Sequence, residues 1–388
     1  MRIVHYIESV RLSIGGTVRA ALDMCAGLAS AGHDVVLLTL DDADVPEEWR
    51  PPGAGRAGMP RVVRLPSPTG PLRTWTKAQR GVAGKEIDGA DVVHIHAMWA
   101  PTNEQVASMA RTRGIAYVVT AHGMLDEWAM AQKSPKKKVY LALTGKKTLE
   151  RAGAVHFTAD EEMRQSTKWF KADRAVSVPL LFDSASYENL PSESIAREKF
   201  GLSEDGAPIL LFLSRFTSGK RADLVVEAAK VLRDRGVAFR LVLAGAGDDS
   251  EEARLRGMVD AFGLRDVTTF TGAVFGEEKV SLYRCAAAFA LPSDHENFCF
   301  ALVEAMAAGA PSVTVKTVAI WEELSRSGGA VVVEPNAKGV ADALEPMLRD
   351  ADVRGRMGRA AREYVLREMS AKAVVSKYER MYEGARRA

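Results

Sequence analysis

The sequence predicts an α/β protein built from two doubly wound parallel sheets, one in each half of the chain. Short apolar runs alternate with amphipathic stretches from end to end, a pattern typical of parallel sheets covered by helices on both faces. The pattern lapses at residues 179–194 and then restarts. With 388 residues the chain is also too long for one hydrophobic core, so two domains are expected.

Each half contains enough short apolar runs for a sheet of its own. In the first half we predict strands at residues 3–7, 35–40, 62–65, 92–95, 116–120, 154–157 and 175–178. In the second half we predict strands at residues 209–213, 240–244, 267–270, 288–291, 312–315 and 330–333, each followed by a helix. Helical stretches at 337–349, 352–368 and 371–387 close the chain, and residues 45–58, rich in proline and glycine, are expected to form a long loop. The predicted domains are therefore residues 1–182 and residues 183–368.

Composition and charge narrow the functional classes. Hydrophobic residues make up 47% and charged residues 26% of the chain, and a net charge of +2 gives no general field for nucleic acid. Cys25, Cys285 and Cys299 show neither metal-ligand spacing nor a disulfide framework, which favours a reducing cytoplasm. The first residues predict a strand rather than a signal peptide, and no apolar run is long enough to span a bilayer. We expect a cytoplasmic protein that binds no nucleic acid, or one that rests on a membrane without crossing it.

The most informative stretch is residues 292–309, which contains two glutamates. The apolar run 286–291 predicts a buried strand, and a helix-forming sequence runs from about residue 300 to residue 309. Glu296 then lies in the loop at the carboxyl end of a strand, and Glu304 in the first turns of the next helix. The backbone N–H groups of Phe298, Cys299 and Phe300 would be the free donors of that helix, which suits an anion. Two carboxylates beside free amides indicate a pocket for a sugar joined to a phosphate; the alternative is that both glutamates are solvated charges.

Two cations follow the first predicted strand of the second half. Arg215 and Lys220 lie five residues apart on a glycine-containing loop that leads into a helix. This places both at the carboxyl edge of the sheet, where ligands bind in open α/β folds. The alternative is an exposed basic loop.

Glycine turns and one histidine follow other predicted strands. Gly15 and Gly16 open a helix after the first strand, so the backbone there can approach a ligand closely. Gly245 begins a Gly-x-Gly turn that lacks the third glycine and distant acid of a dinucleotide site, so no NAD is expected. Val274 follows the third strand of the second half. His122 ends the strand 116–120, where an imidazole can donate to a hydroxyl or to a developing charge.

These motifs together resemble those of the retaining glycosyltransferases of family 4. The resemblance spans essentially the full chain and is strongest at residues 214–309. The segment from Glu296 to Glu304 is similar to the Glu-x7-Glu signature of that family, and Arg215 and Lys220 to its Arg-x4-Lys pair, which grips the donor's pyrophosphate. The resemblance implies the GT-B fold, in which two Rossmann-like domains face each other across a cleft. It also implies that residues 369–388 form a helix that packs back on the first domain.

The resemblance further implies a set of site residues and a donor. The donor would be a nucleoside-diphosphate sugar, and neither a cofactor nor a metal would be required. The donor site would comprise Gly15, Gly16, Arg215, Lys220, Gly245, Val274, Glu296, Asn297, Phe298, Cys299, Phe300 and Glu304. His122, Glu296, Arg215 and Lys220 would take part in catalysis, while Glu304 would hold the ribose hydroxyls.

Two departures from the family pattern concern the donor site. The family usually has glycine at the position of Cys299 and often at that of Asn297, so we expect a Cβ at position 299 to narrow the donor pocket or to demand a different backbone turn. Residues 317–324 replace the common Gly-Gly-x-Pro-Glu loop. Both departures bear on donor choice more than on reaction type.

Two groups of residues suggest metal binding without a complete ligand set. For His94 and His96 we expect strand alternation to place the side chains on opposite faces, with no third ligand near, so a packed or acceptor-side role is favoured over zinc. Asp41, Asp42 and Asp44 resemble the metal-binding acids of the other large glycosyltransferase fold, but are interpreted as a solvated loop. We therefore predict no metal.

A basic segment in the first half mixes lysines with apolar residues. Lys136, Lys137, Lys138, Lys146 and Lys147 are interspersed with valine, tyrosine and leucine. Such a segment is either a solvated helix face or a peripheral contact with an anionic membrane.

Taken together, the sequence predicts a retaining, metal-independent glycosyltransferase. It would move a hexosyl group from a nucleoside-diphosphate sugar to a hydroxyl of a saccharide or lipid-linked saccharide. Two alternatives remain open at this stage: a GT-B nucleotide-sugar epimerase, and a catalytically weak homologue that binds nucleotide sugars.

Overall fold

The computed structural model describes residues 1–50, 58–182, 184–202 and 206–388, which divide into two compact units. Met1–Phe182 and Ala371–Ala388 form the first unit, and Asp183–Ser370 form the second. The predicted loop 45–58 lies partly outside the described residues; its described part contains the short helical turn Glu47–Trp49. Among the described residues, no helix is both long and apolar enough to cross a membrane.

The sheet of the first unit has seven parallel strands within the described residues, in the order β3-β2-β1-β4-β5-β6-β7. They are β1 (Arg2–Tyr6), β2 (Asp34–Thr39), β3 (Arg61–Arg64), β4 (Val92–His96), β5 (Ala116–Thr120), β6 (Ala154–Phe157) and β7 (Ala175–Ser177). The helices between them are α1 (Gly16–Ser30), α2 (Lys77–Ile87), α3 (Pro101–Thr112), α4 (Glu127–Ala131), α5 (Ser134–Tyr140), α6 (Lys146–Glu150) and α7 (Asp160–Ser166). The strand predictions for this half are confirmed. The central strands β1, β4, β5 and β6 are buried on both faces, as a covered parallel sheet requires.

The second unit repeats this architecture with six parallel strands among its described residues, in the order β10-β9-β8-β11-β12-β13. They are β8 (Ile209–Leu213), β9 (Arg240–Ala244), β10 (Thr268–Gly272), β11 (Ala286–Ala290), β12 (Ser312–Val315) and β13 (Ala330–Val333). The helices are α8 (Ala185–Glu188), α9 (Glu193–Phe200), α10 (Ala222–Asp234), α11 (Asp249–Ala261), α12 (Gly276–Cys285), α13 (Phe300–Ala307), α14 (Trp321–Ser325), α15 (Ala337–Arg349) and α16 (Ala351–Glu368). The predicted strands are again found, and the fold class predicted from the sequence is confirmed for each unit.

The strand order of each sheet marks where a ligand can bind. In the first sheet β1 lies between β2 and β4, and in the second β8 lies between β9 and β11. The chain therefore leaves these neighbouring strands in opposite directions along the sheet, which opens a crevice at their carboxyl ends. The loops after β8 and β11 carry the two motifs on which the sequence interpretation depends.

The last helix, α17 (Ala371–Arg387), packs on one face of the first sheet, where it contacts β5, β6 and α1. Its Tyr378 and Tyr382 are fully buried there beside Val92, Val118 and Ala154 of the sheet. The apolar residues of this helix recur at a helical spacing, which gives it one buried face.

Candidate active site

The crevice between β8 and β11 joins the basic loop to the first of the two glutamates. The ammonium group of Lys220 contacts the carboxylate of Glu296. The loops are also joined through their backbones, since the amide of Asp294 donates to the carbonyl of Gly219 at 2.9 Å. Arg221 reinforces this junction with an ion pair to Asp294 at 2.9 Å. The strand order thus brings together two motifs that lie about 75 residues apart in the chain.

The two cations of the basic loop differ in their surroundings. Lys220 is mostly buried, and burial lowers its pKa, with the nearby charge of Arg215 lowering it further. The carboxylate of Glu296 in contact with the amine favours its charged form. Arg215 is exposed, and within the described part of the chain its guanidinium has no hydrogen-bond or ion-pair partner. Of these two cations, Lys220 is therefore paired with a carboxylate and Arg215 is available to an anion.

Glu304 is held by two side chains from α12. Lys279 lies 2.8 Å from one carboxylate oxygen, and the hydroxyl of Tyr283 donates to the other at 3.2 Å. Burial raises the pKa of Tyr283 well above its usual value, so the phenol stays protonated as a donor. A carboxylate has about four acceptor positions, so Glu304 keeps capacity for ligand hydroxyls.

The backbone around Glu296 is held by the segment that replaces the usual family loop. The amide of Glu296 donates to the carbonyl of Thr317 at 3.2 Å, and the amide of Ala319 donates to the carbonyl of Glu296 at 2.9 Å. The hydroxyl of Thr317 donates to the carbonyl of Ser293 at 2.6 Å. This departure from the family sequence therefore fixes the position of Glu296.

Cys299 adopts a backbone conformation that favours glycine. It caps the amino end of α13 with φ +57°, in the left-handed region, where a Cβ costs about 1–2 kcal/mol. The residue is buried, and burial raises the pKa of its thiol to about 11, so the sulfur is a neutral thiol at pH 7. Cys299 thus forms a left-handed turn in spite of its side chain. Beside it, the side-chain oxygen of Asn297 is buried with no partner among the described residues.

The glycines in or next to the predicted donor site fall into two groups. At Gly245 and Gly247 a Cβ would clash with the backbone carbonyls of Ser214 and Phe216, so close packing of β9 against β8 is sufficient to require glycine. At Gly16, by contrast, no described atom lies within 4 Å of where a Cβ would stand. The first group therefore has a structural explanation, whereas Gly16 leaves open space at the start of α1.

In the first unit, His122 follows β5 and is linked to other histidines. It has φ +52°, is 8% exposed, and its Nε2 lies 3.0 Å from Nδ1 of His96. The expectation that His94 and His96 point to opposite faces was wrong, because residues two apart on a strand share a face. Their rings stack with centroids 4.5 Å apart, and His5 supplies a third imidazole, against the expectation that none was near.

The geometry of these three imidazoles favours hydrogen bonding over metal binding. A metal ion bonds to a ring nitrogen through its free lone pair, and the rings of His94 and His96 lie 18° from parallel with centroids 4.5 Å apart. Both nitrogens of each of these two rings also have hydrogen-bond partners.

In the acidic loop that the sequence predicts to be solvated, Asp41 forms an ion pair with Arg11 and accepts a hydrogen bond from the hydroxyl of Ser9 at 3.2 Å.

Comparison with protein families assigns both halves of the chain. Residues 193–364 match the model of the group 1 glycosyl transferases, and residues 15–180 match that of the glycosyl transferase 4-like domain. A D-inositol 3-phosphate glycosyltransferase from Actinosynnema mirum is 30% identical over 303 residues, 72% of this chain and 70% of the relative. The chain belongs to the family 4 glycosyltransferases of the GT-B fold.

A relative of the same name from Saccharomonospora viridis is also 30% identical, over 293 residues. The match covers 71% of this chain and 66% of that relative, slightly less than two thirds of its length.

Solved structures share the fold at low sequence identity. A glycosyltransferase from Rickettsia africae has a TM-score of 0.78 at 17% identity, covering 99% of this chain and 98% of its own. The Anabaena protein HepE, in complex with UDP, has a TM-score of 0.77 at 15% identity, covering 99% of this chain and 100% of its own.

The structure places the predicted site residues in both units. Gly15, Gly16 and His122 belong to the first, and the other predicted residues belong to the second. Lys279 and Tyr283 were missed. Their spacing of four residues puts them on one face of a helix, but nothing in the sequence indicates that this face meets Glu304.

Proposed function

We propose that this protein transfers a hexosyl group from a nucleoside-diphosphate sugar to a hydroxyl of a saccharide or lipid-linked saccharide, with retention and without a metal ion. The observation that carries the proposal is the Lys220–Glu296 pair beside the exposed Arg215, at the carboxyl ends of β8 and β11. In this crevice a cation that can bind a phosphate contacts a carboxylate that can accept from hydroxyls. A sugar bonded to a diphosphate has both chemical features on adjacent atoms.

The cations would act on the leaving group. As the glycosidic bond breaks, negative charge grows on the diphosphate and the sugar carbon becomes oxocarbenium-like. Arg215 and Lys220 stabilise that charge without reorganisation, because the fold already holds their loop against the loop that follows β11. An ammonium group has three donors, so Lys220 can contact a phosphate while it keeps its contact with Glu296.

The carboxylates would divide the donor between them. Glu304, held by Lys279 and Tyr283, accepts from the ribose hydroxyls. Glu296 accepts from hydroxyls of the transferred sugar, and its charge favours the developing positive carbon. The departing phosphate oxygen can take the proton of the acceptor hydroxyl on the same face, which retains the configuration and requires no protein nucleophile.

The relatives support a nucleotide-sugar donor. The similar proteins from Actinosynnema mirum and Saccharomonospora viridis are named as glycosyltransferases, and the Anabaena structure contains UDP. A bound nucleoside diphosphate is the product that the proposed reaction would release.

The decisive experiment is hydrolysis and transfer measured across a panel of nucleotide sugars, with and without a chelator. We expect release of nucleoside diphosphate from at least one donor, stimulation by a saccharide acceptor, and no loss in chelator. Conversion of the donor into another nucleotide sugar without an acceptor would instead establish an epimerase. Binding without turnover of any donor would establish a catalytically weak binding protein, and rescue by Mg²⁺ after chelation would overturn metal independence.

We further propose that the basic segment Ser134–Glu150 contacts an anionic membrane that carries the acceptor. Lys136, Lys138, Lys146 and Lys147 are exposed, and Val139 and Leu143 among them are 57% and 74% exposed. Exposed apolar side chains among lysines suit the boundary between headgroups and acyl chains. Lys137 is different, because its ammonium group donates to the carbonyl of Ala129 and lies 5.2 Å from the Trp99 ring centre. It therefore makes contacts within the protein and is not available to a membrane.

A further inference from the structure

Five buried histidines lie on one face of the first sheet, the face on which α17 packs. They are His5 on β1, His94 and His96 on β4, His122 after β5, and His156 on β6. The strand register places His5 beside His94, His96 beside Thr120, and Thr120 beside His156. Burial lowers the pKa of all five, so the imidazoles are neutral at pH 7. A neutral imidazole has one donor and one acceptor nitrogen, so each hydrogen bond restricts the next.

In one row of hydrogen bonds, a backbone carbonyl determines which atom donates and which accepts at every step. Nε2 of His156 lies 2.8 Å from the carbonyl oxygen of Val178, so this nitrogen carries the proton. Nδ1 of His156 must then accept from the hydroxyl of Thr120 at 2.7 Å. That hydroxyl accepts in turn from Nε2 of His94 at 2.6 Å, which leaves Nδ1 of His94 to accept from Tyr382 at 2.8 Å. This row ends on α17 and attaches that helix to the sheet.

The second row runs from His5 through His96 to His122. Nδ1 of His5 lies 2.9 Å from Nε2 of His96, and Nδ1 of His96 lies 3.0 Å from Nε2 of His122. The ring planes in each pair differ by only 17° and 25°, with centroids 5.2 and 5.3 Å apart. When two ring centroids are 5.2 Å or more apart, their nitrogens can come within 3.0 Å only if the rings lie edge to edge. A hydrogen bond between two imidazoles requires this arrangement.

The free end of this row sets its direction. Nε2 of His5 is buried and has no partner among the described residues. Buried N–H groups without an acceptor are rarer than acceptors without a donor, so this nitrogen bears the lone pair. His5 then donates from Nδ1 to His96, and His96 donates from Nδ1 to His122. The proton of His122 is left on its Nδ1, for which the described residues provide no hydrogen-bond partner.

We propose that His5 and His96 are positioning residues that fix His122 as a neutral imidazole protonated on Nδ1. His122 then presents a hydrogen-bond donor and no basic lone pair at that atom. A ligand group facing it must be an acceptor, such as a hydroxyl or glycosidic oxygen, and His122 does not act there as a general base. This deepens the proposed function and rests on it for the identity of the ligand, while the tautomer follows from the histidine row alone.

Nitrogen-15 NMR of protein labelled at the histidine ring nitrogens tests the assignment without any substrate. Protonated and bare ring nitrogens have separate chemical shifts, and the His122 signals are identified by their loss in His122→Asn, which tolerates the left-handed backbone. We expect a proton on Nδ1 and a bare Nε2 in the wild type at pH 7.5. A proton on Nε2, or on both nitrogens, would overturn the proposal.

Two substitutions of His5 then test its role. His5→Asn keeps an amide donor at the position of Nδ1 and should leave the His122 pattern unchanged. His5→Leu removes the donor and should produce a second His122 species protonated on Nε2; an unchanged pattern would show that His5 positions nothing. If His5→Leu does not fold, His96→Asn provides the test, because it keeps a donor toward His122. A change in the His122 pattern in this variant would contradict the proposed His5–His96–His122 row of hydrogen bonds.

Transfer gives a separate readout. His5→Leu should reduce transfer about tenfold and His5→Asn less than about threefold, the usual range for losing one hydrogen bond. Equal losses in the two variants would contradict the relay. Absence of transfer in the wild type with every donor would count against the proposed function, while the NMR result would still decide the tautomer.

Discussion

Cys299 occupies a position where the backbone favours glycine. Its φ of +57° lies in the left-handed region in spite of the side chain, and the amides that follow it open α13. We predict that Cys299→Gly is more stable than Cys299→Ala by about 1 kcal/mol. Both variants lose the thiol, but only alanine keeps a Cβ in the left-handed region, which reverses the usual preference of helices for alanine over glycine.

Urea unfolding of the two variants measures this difference directly. The matched control is Gly257 in the middle of α11, where no atom of the described residues crowds a Cβ and the backbone is helical. There Gly257→Ala should stabilise the protein by about 0.5–1 kcal/mol. An alanine at position 299 as stable as glycine would show that the turn is not strained.

The two cations of the basic loop should act mainly on turnover. We predict that Arg215→Ala or Lys220→Ala lowers transfer by about two orders of magnitude, since a preorganised charge stabiliser is lost. The contacts strengthen as the phosphate leaves, so the loss should appear in kcat more than in KM. Steady-state kinetics check this, with Lys230→Ala as control, because that lysine is paired with Asp234 on α10. Near-normal transfer by both variants would remove the phosphate assignment.

The two glutamates should fail in different ways. Glu304→Gln should weaken binding of the free nucleoside diphosphate, because the ribose loses a charged acceptor that Lys279 and Tyr283 hold in place. Glu296→Gln should leave that affinity nearly unchanged and depress turnover, since its partner is the sugar. Calorimetry with the nucleoside diphosphate measures both affinities. Equal weakening in the two variants would contradict the division of roles.

At the scale of an element, the basic segment from α5 to α6 should bind anionic vesicles. Each exposed lysine near the surface contributes about 1 kcal/mol, so several suffice for reversible binding. Substituting Lys136, Lys138 and Lys147 by glutamate should abolish sedimentation with anionic vesicles, and raising salt should release the wild type because charges are screened over about 8 Å. These three are chosen because Lys137 is engaged within the fold and Lys146 lies 3.8 Å from Glu150.

A charge-matched control separates a local contact from a general effect of net charge. Lys77, Lys85 and Lys372 are exposed and lie outside the segment, so replacing all three by glutamate makes the same change in total charge. Vesicle binding should survive this substitution. If the wild type does not bind vesicles, or both triple variants lose binding equally, the segment is a solvated helix face.

At the scale of the whole molecule, the buried histidines should make the protein sensitive to acid. Their ordinary pKa is 6.5, whereas burial lowers it to about 3 for His5 and His122 and to about 4 for His156. Above pH 6.5 these groups are neutral in both states. Below it the unfolded chain binds protons that the folded chain does not, so the free energy of unfolding falls by about 1.4 kcal/mol per pH unit for each histidine until the folded pKa is reached.

Urea unfolding at several pH values between 7.5 and 5 checks this dependence. Below pH 6.5, removing one such histidine, with His156→Gln, should reduce the slope of unfolding free energy against pH by up to about 1.4 kcal/mol per unit. Val155→Ala in the same strand is the control, because it destabilises the core without removing a titrating group. The same slope in the wild type and in His156→Gln would mean that His156 is not held neutral.

The amino-acid sequence by itself determined the elements and the two-unit α/β class, and it predicted the residues of the second-unit site. Apolar periodicity is a local property, so strands such as β5, β6 and β8 were located to the residue. Arg215, Lys220, Glu296 and Glu304 were predicted as site residues because they follow the carboxyl ends of strands, where ligands bind in this fold class, and because their spacing resembles the motifs of family 4.

Contacts between distant strands and helices were decided only by the tertiary structure. Strand register brought His5, His94, His96 and His156 onto one face. The sequence near His94 does not indicate these partners, because they lie up to 89 residues away. The packing of α12 on α13 placed Lys279 and Tyr283 on Glu304. These contacts depend on which faces of strands and helices pack together although they lie far apart in the sequence. The burial of whole elements determines that packing, and the residues of a single motif do not.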